Sequence, residues 1–218
     1  DIKVSDNQEL RALVDKGWRV CYAEWFGENF ADSMAPHHAE AVEWHWESRI
    51  AFFEKRKPEY LAYFPIWSRG HAKSSYAERM VVVDGMISYA YDQPGYALYV
   101  ARSKDKVEEH IKNIETLLST DRIRKWCPKL SNPKRSITTN QQSKWTSTFL
   151  KSDANFSIQG GSLDSGLAGS RVEESRVTFL VLDDIDGREN SPLIAESRLK
   201  MLTNEILPMG QANTLTFF

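Results

Sequence analysis

The feature that most constrains this chain is the run Val177-Thr178-Phe179-Leu180-Val181-Leu182, which passes directly into Asp183-Asp184. The run keeps no polar side for water, so it predicts a strand covered on both faces. Such strands belong to parallel sheets held between layers of helix. The rest of the chain supplies matching elements. Helices are predicted over 7–16, over 37–55 just after Pro36, and over 73–89. Another follows Ser103, where Val107, Ile111, Ile114, Leu117 and Leu118 recur at helical spacing, and the last covers 193–207. Apolar runs at 60–67 and 96–101 predict further buried strands, with Pro65 weakening the end of the first. Residues 145–150 and 155–159 also read as strands, and 130–175 as a hairpin or inserted edge. Strands alternating with helices of this length predict an α/β fold with a mostly parallel sheet flanked by helices.

Composition narrows the function classes. Net charge is −2, so no global basic field marks the chain as a nucleic-acid binder. Any DNA contact has to come from a local patch, and Lys129, Lys134, Arg135 and Lys144 form one, read by default as a solvated loop. Cys21 and Cys127 lie outside any metal-ligand spacing and read as reduced thiols. No apolar run approaches the ~18 residues of a membrane span. The start at Asp1 and a terminal run, Thr214-Leu215-Thr216-Phe217-Phe218, that reads as a strand cut in mid-course lead to the expectation of a fragment of a longer protein.

Two motifs carry chemistry. Ser68-Arg69-Gly70-His71-Ala72-Lys73-Ser74-Ser75 joins a predicted strand to a predicted helix. A phosphate-binding loop needs small residues whose backbone N–H groups curl around phosphate oxygens at a helix start. It also needs a Lys for the β- and γ-phosphates and a hydroxyl for Mg²⁺, which Lys73 and Ser74 supply. The usual pattern has Gly six residues before the Lys and directly before it; here those positions are Trp67 and Ala72. The second motif is the strand ending in Asp183-Asp184. At the carboxyl edge of a parallel sheet one carboxylate can hold Mg²⁺ while the next polarises a water attacking a γ-phosphate. A strand–turn–Lys-Ser–helix unit followed later by an apolar strand ending in Asp-Asp is the order of an additional-strand (RecA-like) P-loop NTPase.

Over residues 36–218 these features resemble the large terminase subunits of tailed phages and related prophages. An Arg within a degenerate Walker A is similar to Ser68-Arg69-Gly70-His71-Ala72-Lys73-Ser74. A strand running into a polar helix start is similar to Tyr99-Val100-Ala101-Arg102-Ser103-Lys104. A Gly-rich segment with arginines before Walker B is matched by residues 160–171 and Arg176, and Leu182-Asp183-Asp184-Ile185 resembles the Walker B ending. The residue after the Walker B Asp is commonly Glu in such motors; Asp184 is one methylene shorter, and Asp186 is its fallback.

The resemblance implies ATP and Mg²⁺ as cofactors and an ATPase that drives double-stranded DNA into a procapsid. Ser68, Arg69, Gly70, His71, Ala72, Lys73, Ser74 and Ser75 would form the nucleotide site. Ser74 and Asp183 would be metal ligands, Asp184 would activate water, and Arg69 and Lys73 would stabilise the transferred phosphoryl group. It implies a helical segment, 1–57, acting as a lid whose Pro36-His37-His38 lies near adenine, and an ATPase core, 58–218, with a nuclease domain beyond it. Partners would be a small terminase subunit, a portal protein and identical copies in a ring, the isolated chain being a monomer. The site of action would be the cytoplasm of an infected bacterium. A trans-acting arginine would be expected, with Arg122, Arg124 and Arg135 as candidates. Two other readings stay open: a helicase-like P-loop DNA motor, and a non-catalytic nucleic-acid or capsid-assembly module.

Overall fold

The computed structural model describes residues 6–67, 70–131, 149–163, 176–185 and 191–218. Four helices come first: α1 (Asp6–Val14), α2 (Trp18–Phe26), α3 (Glu28–Asp32) and α4 (Pro36–Phe53). After them come β1 (Ala62–Tyr63), α5 (Lys73–Ala90), β2 (Gly95–Ala101), α6 (Lys104–Leu118) and α7 (Asp121–Trp126). The remainder is β3 (Phe149–Lys151), β4 (Phe156–Ser162), β5 (Val177–Asp183), α8 (Pro192–Met201) and β6 (Gly210–Phe217). A π-helical turn, Leu202–Ile206, and a 3₁₀ turn, Leu207–Met209, connect the last two.

The strands form one six-stranded sheet in the order β1-β6-β5-β2-β4-β3. All neighbours are parallel except β3, which pairs antiparallel with β4 as an edge hairpin. The chain is therefore an α/β fold with a mostly parallel sheet flanked by helices. Strands β2 and β5 are buried at every position, as expected of apolar runs covered on both sides. Alternate residues serve the two faces. Ala97, Tyr99, Ala101, Phe179 and Val181 join the large cluster that includes α1, α2 and α4–α7, whereas Tyr96, Leu98, Val100, Leu180 and Leu182 pack with Ile206 below the α8 side. Because Asp183 shares the parity of Phe179 and Val181, it emerges on the face that carries α5 and α6.

The segment 60–67 departs from expectation. Only Ala62–Tyr63 forms a strand, and Tyr60, Leu61, Phe64 and Ile66 are exposed. β1 is the sheet's edge and pairs on one side only, with Thr216 N–H donating to Leu61 O (2.8 Å) and Phe218 N–H to Tyr63 O (3.0 Å). An edge strand followed by Pro65 has one partner to bury it, so apolar content alone did not bring it into the core. The predicted strand at 145–150 lies outside the described residues up to Phe149. The segment 164–175 lies outside them too, and with it most of the Gly-rich stretch; its first glycines, Gly160 and Gly161, are in β4.

Helix α5 is buried almost all round because it lies across the sheet under α1, α4 and α6. Gly85 allows that approach: a Cβ there would meet the Phe156 ring at 2.9 Å. A buried ionic group ties α4 to this layer. Arg49 Nε lies 2.8 Å from Asp84 Oδ1, and Arg49 Nη2 donates to Ser88 Oγ (3.0 Å) and to Thr178 Oγ1 (3.3 Å) on β5. His45 Nε2 is 3.5 Å from the same Asp84 oxygen. Burial lowers the pKa of both Arg49 and His45, with Asp84 opposing the shift.

Candidate functional site

β1 leads into the turn that opens α5, and β5 ends at Asp183. Both points lie at the carboxyl edge of the parallel strands, with β6 between them. Two strand spacings amount to roughly 10 Å, a gap closed here by the turn and the lysine side chain. Lys73 Nζ comes to 3.4 Å from Asp183 Oδ1. Asp183 is 1% exposed, whereas the Lys73 side chain is one-third exposed, so the pair joins the sheet interior to the crevice above it. Sequence reading brought these two residues to one site, and the structure has them in ion-pair contact.

The turn has an unusual backbone. Gly70 has φ 81° and Ala72 has φ 55°, both left-handed. Ala72 immediately precedes α5, and no side chain caps that helix. The residue at the cap position therefore supplies no side-chain acceptor for the first N–H groups of the helix. Left-handed geometry directly before the lysine is what glycine supplies in the usual loop; alanine adopts it here at a cost of about 1–2 kcal/mol. Ala72→Gly is expected to change stability by less than about 1 kcal/mol, relief of strain offsetting a more flexible unfolded chain. Ala72→Val is expected to lose about 1–3 kcal/mol. Urea unfolding of both variants checks this.

Ser74 and Ser75 lie half-buried on the first turn of α5, and His71 is exposed. Ser75 O accepts from Arg79 Nη1 (2.8 Å). Asp184 is exposed with φ 47°, and its charge is among those that raise the Lys106 pKa, after the larger effect of Glu109. Ser68, Arg69 and Asp186 lie outside the described residues.

Three residues not named as site candidates from sequence support Asp183, two of them beside it and the third through His110. Tyr99 Oη donates to Asp183 Oδ2 at 2.8 Å. Burial, helped by the Asp183 charge and this hydrogen bond, pushes the Tyr99 pKa well above its usual value, so the phenol stays a donor. His110 on α6 stacks on the Tyr99 ring at 4.7 Å between centroids, with Nε2 3.7 Å from Asp183 Oδ2. Glu78 on α5 holds His110 Nδ1 at 2.8 Å and accepts from Asn113 Nδ2 at 3.0 Å. Among the described residues, nothing hydrogen-bonds to Asp183 Oδ1, although it is buried. Tyr99 carried a weak signal: it pairs with Val181 in the β2–β5 register and so shares a face with Asp183 two residues on. That register was not readable before the strand order was known.

The start of α4 closes one side of the turn. His38 Nε2 is 2.8 Å from His71 O, and the His38 ring stacks on Tyr76 at 4.0 Å. His37 lies against Trp67 (5.1 Å) and His71 (5.3 Å). Burial lowers the His38 pKa, its hydrogen bond to His71 opposing. Trp25 and Trp46 are core residues, packed 6.1 Å apart. Of the candidate trans-acting arginines, Arg122 donates to the carbonyls of Ala23 and Glu24 at the end of α2 (3.3 Å each), and Arg124 pairs with Asp121 (2.9 Å). Arg135, Lys134 and Lys144 lie outside the described residues.

No protein-family model, no curated protein and no solved structure matches the chain. Among the described residues, no helix is long and apolar enough to cross a membrane, and no group of three or more His, Cys, Asp and Glu could hold a metal ion.

Proposed function

We propose that this chain is an ATP-hydrolysing motor domain of the additional-strand P-loop type, acting like the large terminase subunits it resembles to drive double-stranded DNA into a procapsid. The observation that carries the reading is the contact between Lys73 and Asp183. The two come from motifs far apart in the chain, and a triphosphate with its cation needs a cationic and an acidic group side by side. The strand order supports it as well: β6 stands between the strand before the turn and the strand ending in Asp183, where an additional-strand ATPase has its extra strand.

The residues also suit Mg²⁺. Asp183 Oδ1 is buried and, among the described residues, has only the Lys73 ion-pair contact and no hydrogen bond, and Ser74 offers a hydroxyl on the first turn of α5. Mg²⁺ commonly takes only one or two protein oxygens, substrate phosphates and water completing its shell. Bound there, it would neutralise charge on the β- and γ-phosphate oxygens. Lys73 would bind the same oxygens from the other side, with the amides of 70–74 cradling them at the uncapped helix start. Asp184, exposed just after β5, would orient the attacking water and take its proton. Arg69 would donate its two-pronged hydrogen bonds to the γ-phosphate.

Differential contacts to ATP and ADP would shift the geometry around this site, and that shift would move DNA. The small subunit, the portal, the ring of copies and the host cytoplasm follow from the resemblance alone. Calorimetric titration with a non-hydrolysable ATP analogue and Mg²⁺ tests the reading. Saturable one-site binding is expected. No binding would favour the non-catalytic nucleic-acid or capsid-assembly module instead.

A further inference from the structure

We propose that Tyr99 is a positioning residue that turns Asp183 toward the cation site, and that His110, held by Glu78 and Asn113, keeps Tyr99 in place. This rests on the nucleotide-site reading above and adds to it a support layer outside the two motifs. A carboxylate at a strand end has two oxygens that rotate about χ2, and only one is needed in the crevice. Tyr99 Oη occupies Oδ2 from within the sheet at 2.8 Å. Oδ1 is thereby left facing Lys73 at 3.4 Å, buried and with no hydrogen bond of its own. The Lys73 ammonium compensates its charge without a well-formed hydrogen bond, which leaves Oδ1 able to take a cation or accept from its bound water.

The phenol is itself braced. His110 covers the Tyr99 ring at 4.7 Å, and its Nε2, at 3.7 Å from Asp183 Oδ2, is beyond hydrogen-bond distance. The imidazole thus acts on Asp183 mainly by confining the tyrosine. Glu78 fixes the other ring nitrogen at 2.8 Å and is itself held by Asn113, one helical turn along α6 from His110. The inner part of this chain is buried, with Glu78 6% exposed and Tyr99 fully enclosed, while His110 is half-buried and Asn113 closes it at the surface. Outer groups of this sort orient the groups that touch a metal, and losing one typically weakens metal affinity about 10–100-fold.

The test is calorimetric titration of a non-hydrolysable ATP analogue, with and without Mg²⁺, into wild type, Tyr99→Phe and His110→Asn, with a thermal melt of each. Tyr99→Phe keeps the ring and its packing but loses the hydroxyl. The expected result is unchanged affinity for the metal-free nucleotide and loss of about tenfold or more of the Mg²⁺-dependent tightening. His110→Asn is expected to lose part of the same increment and carries the test alone if Tyr99→Phe does not fold. Wild-type Mg²⁺ dependence in both folded variants overturns the positioning role and leaves the nucleotide site standing. Failure of the wild type to bind the nucleotide at all overturns both.

Discussion

Lys73→Ala is expected to lower Mg²⁺-dependent phosphate release by about 10²–10³-fold, the usual effect of removing one preorganised donor from a site where charge develops. The ammonium stands 3.4 Å from Asp183 Oδ1 at the start of α5, so it would lie between phosphate oxygens and the buried carboxylate. Removing it takes away charge neutralisation for the phosphates and leaves Asp183, 1% exposed, without its cation. The second effect means that unfolding must be measured alongside activity, so that lost hydrolysis is not mistaken for lost structure. Lys73→Arg distinguishes charge from shape: a planar guanidinium is not a substitute for a compact ammonium within a tight backbone turn, and activity is expected to stay low. Asp184→Asn should match the loss in turnover with little loss of nucleotide binding, because its assigned task is the attacking water. Full phosphate release from Lys73→Ala would show that the turn is incidental.

The largest stability effect is expected far from the crevice, at the buried group joining α4 to α5 and β5. Asp84→Ala should destabilise the protein by about 3–5 kcal/mol, because it leaves the Arg49 guanidinium, 1% exposed, with no counter-charge. Ser88 and Thr178 would still accept from Arg49, but two neutral hydroxyls do not offset a buried cation. The double variant Arg49→Met, Asp84→Leu removes both charges and is expected to regain most of the loss, as apolar replacements of buried pairs often do. Urea unfolding of the three proteins gives the comparison. Its functional consequence follows from position: α4 begins with His37 and His38 against the turn and is anchored to the sheet by Arg49. Loosening the anchor would free the helix that packs on the candidate phosphate turn.

Residues that announce themselves by pattern were legible in advance. The apolar run ending in Asp183 predicted a doubly covered strand, and β5 is buried at all its positions. Lys73 was expected at a helix start, and α5 starts there. What could not be read was whatever depends on partners. The segment 60–67 is as apolar as a core strand, yet its place at the sheet edge leaves Ile66 99% exposed. The short helix α2 escaped because Trp18, Cys21, Tyr22 and Trp25 are buried among apolar neighbours with little polar contrast, although Gly17 and Gly27 flank it as punctuation. Tyr99, His110 and Glu78 lie inside regular elements whose patterns give none of them a role of its own; the β2–β5 register and the packing of α5 on α6 bring them to Asp183.

The most direct measurement is a crystal structure of the protein with a non-hydrolysable ATP analogue and Mg²⁺. The account predicts the β- and γ-phosphates over the 70–75 turn, Lys73 moved onto them, and the cation between Ser74 and Oδ1 of Asp183, the oxygen that faces Lys73. A nucleotide bound elsewhere, with Lys73 and Asp183 still paired to each other, would contradict it.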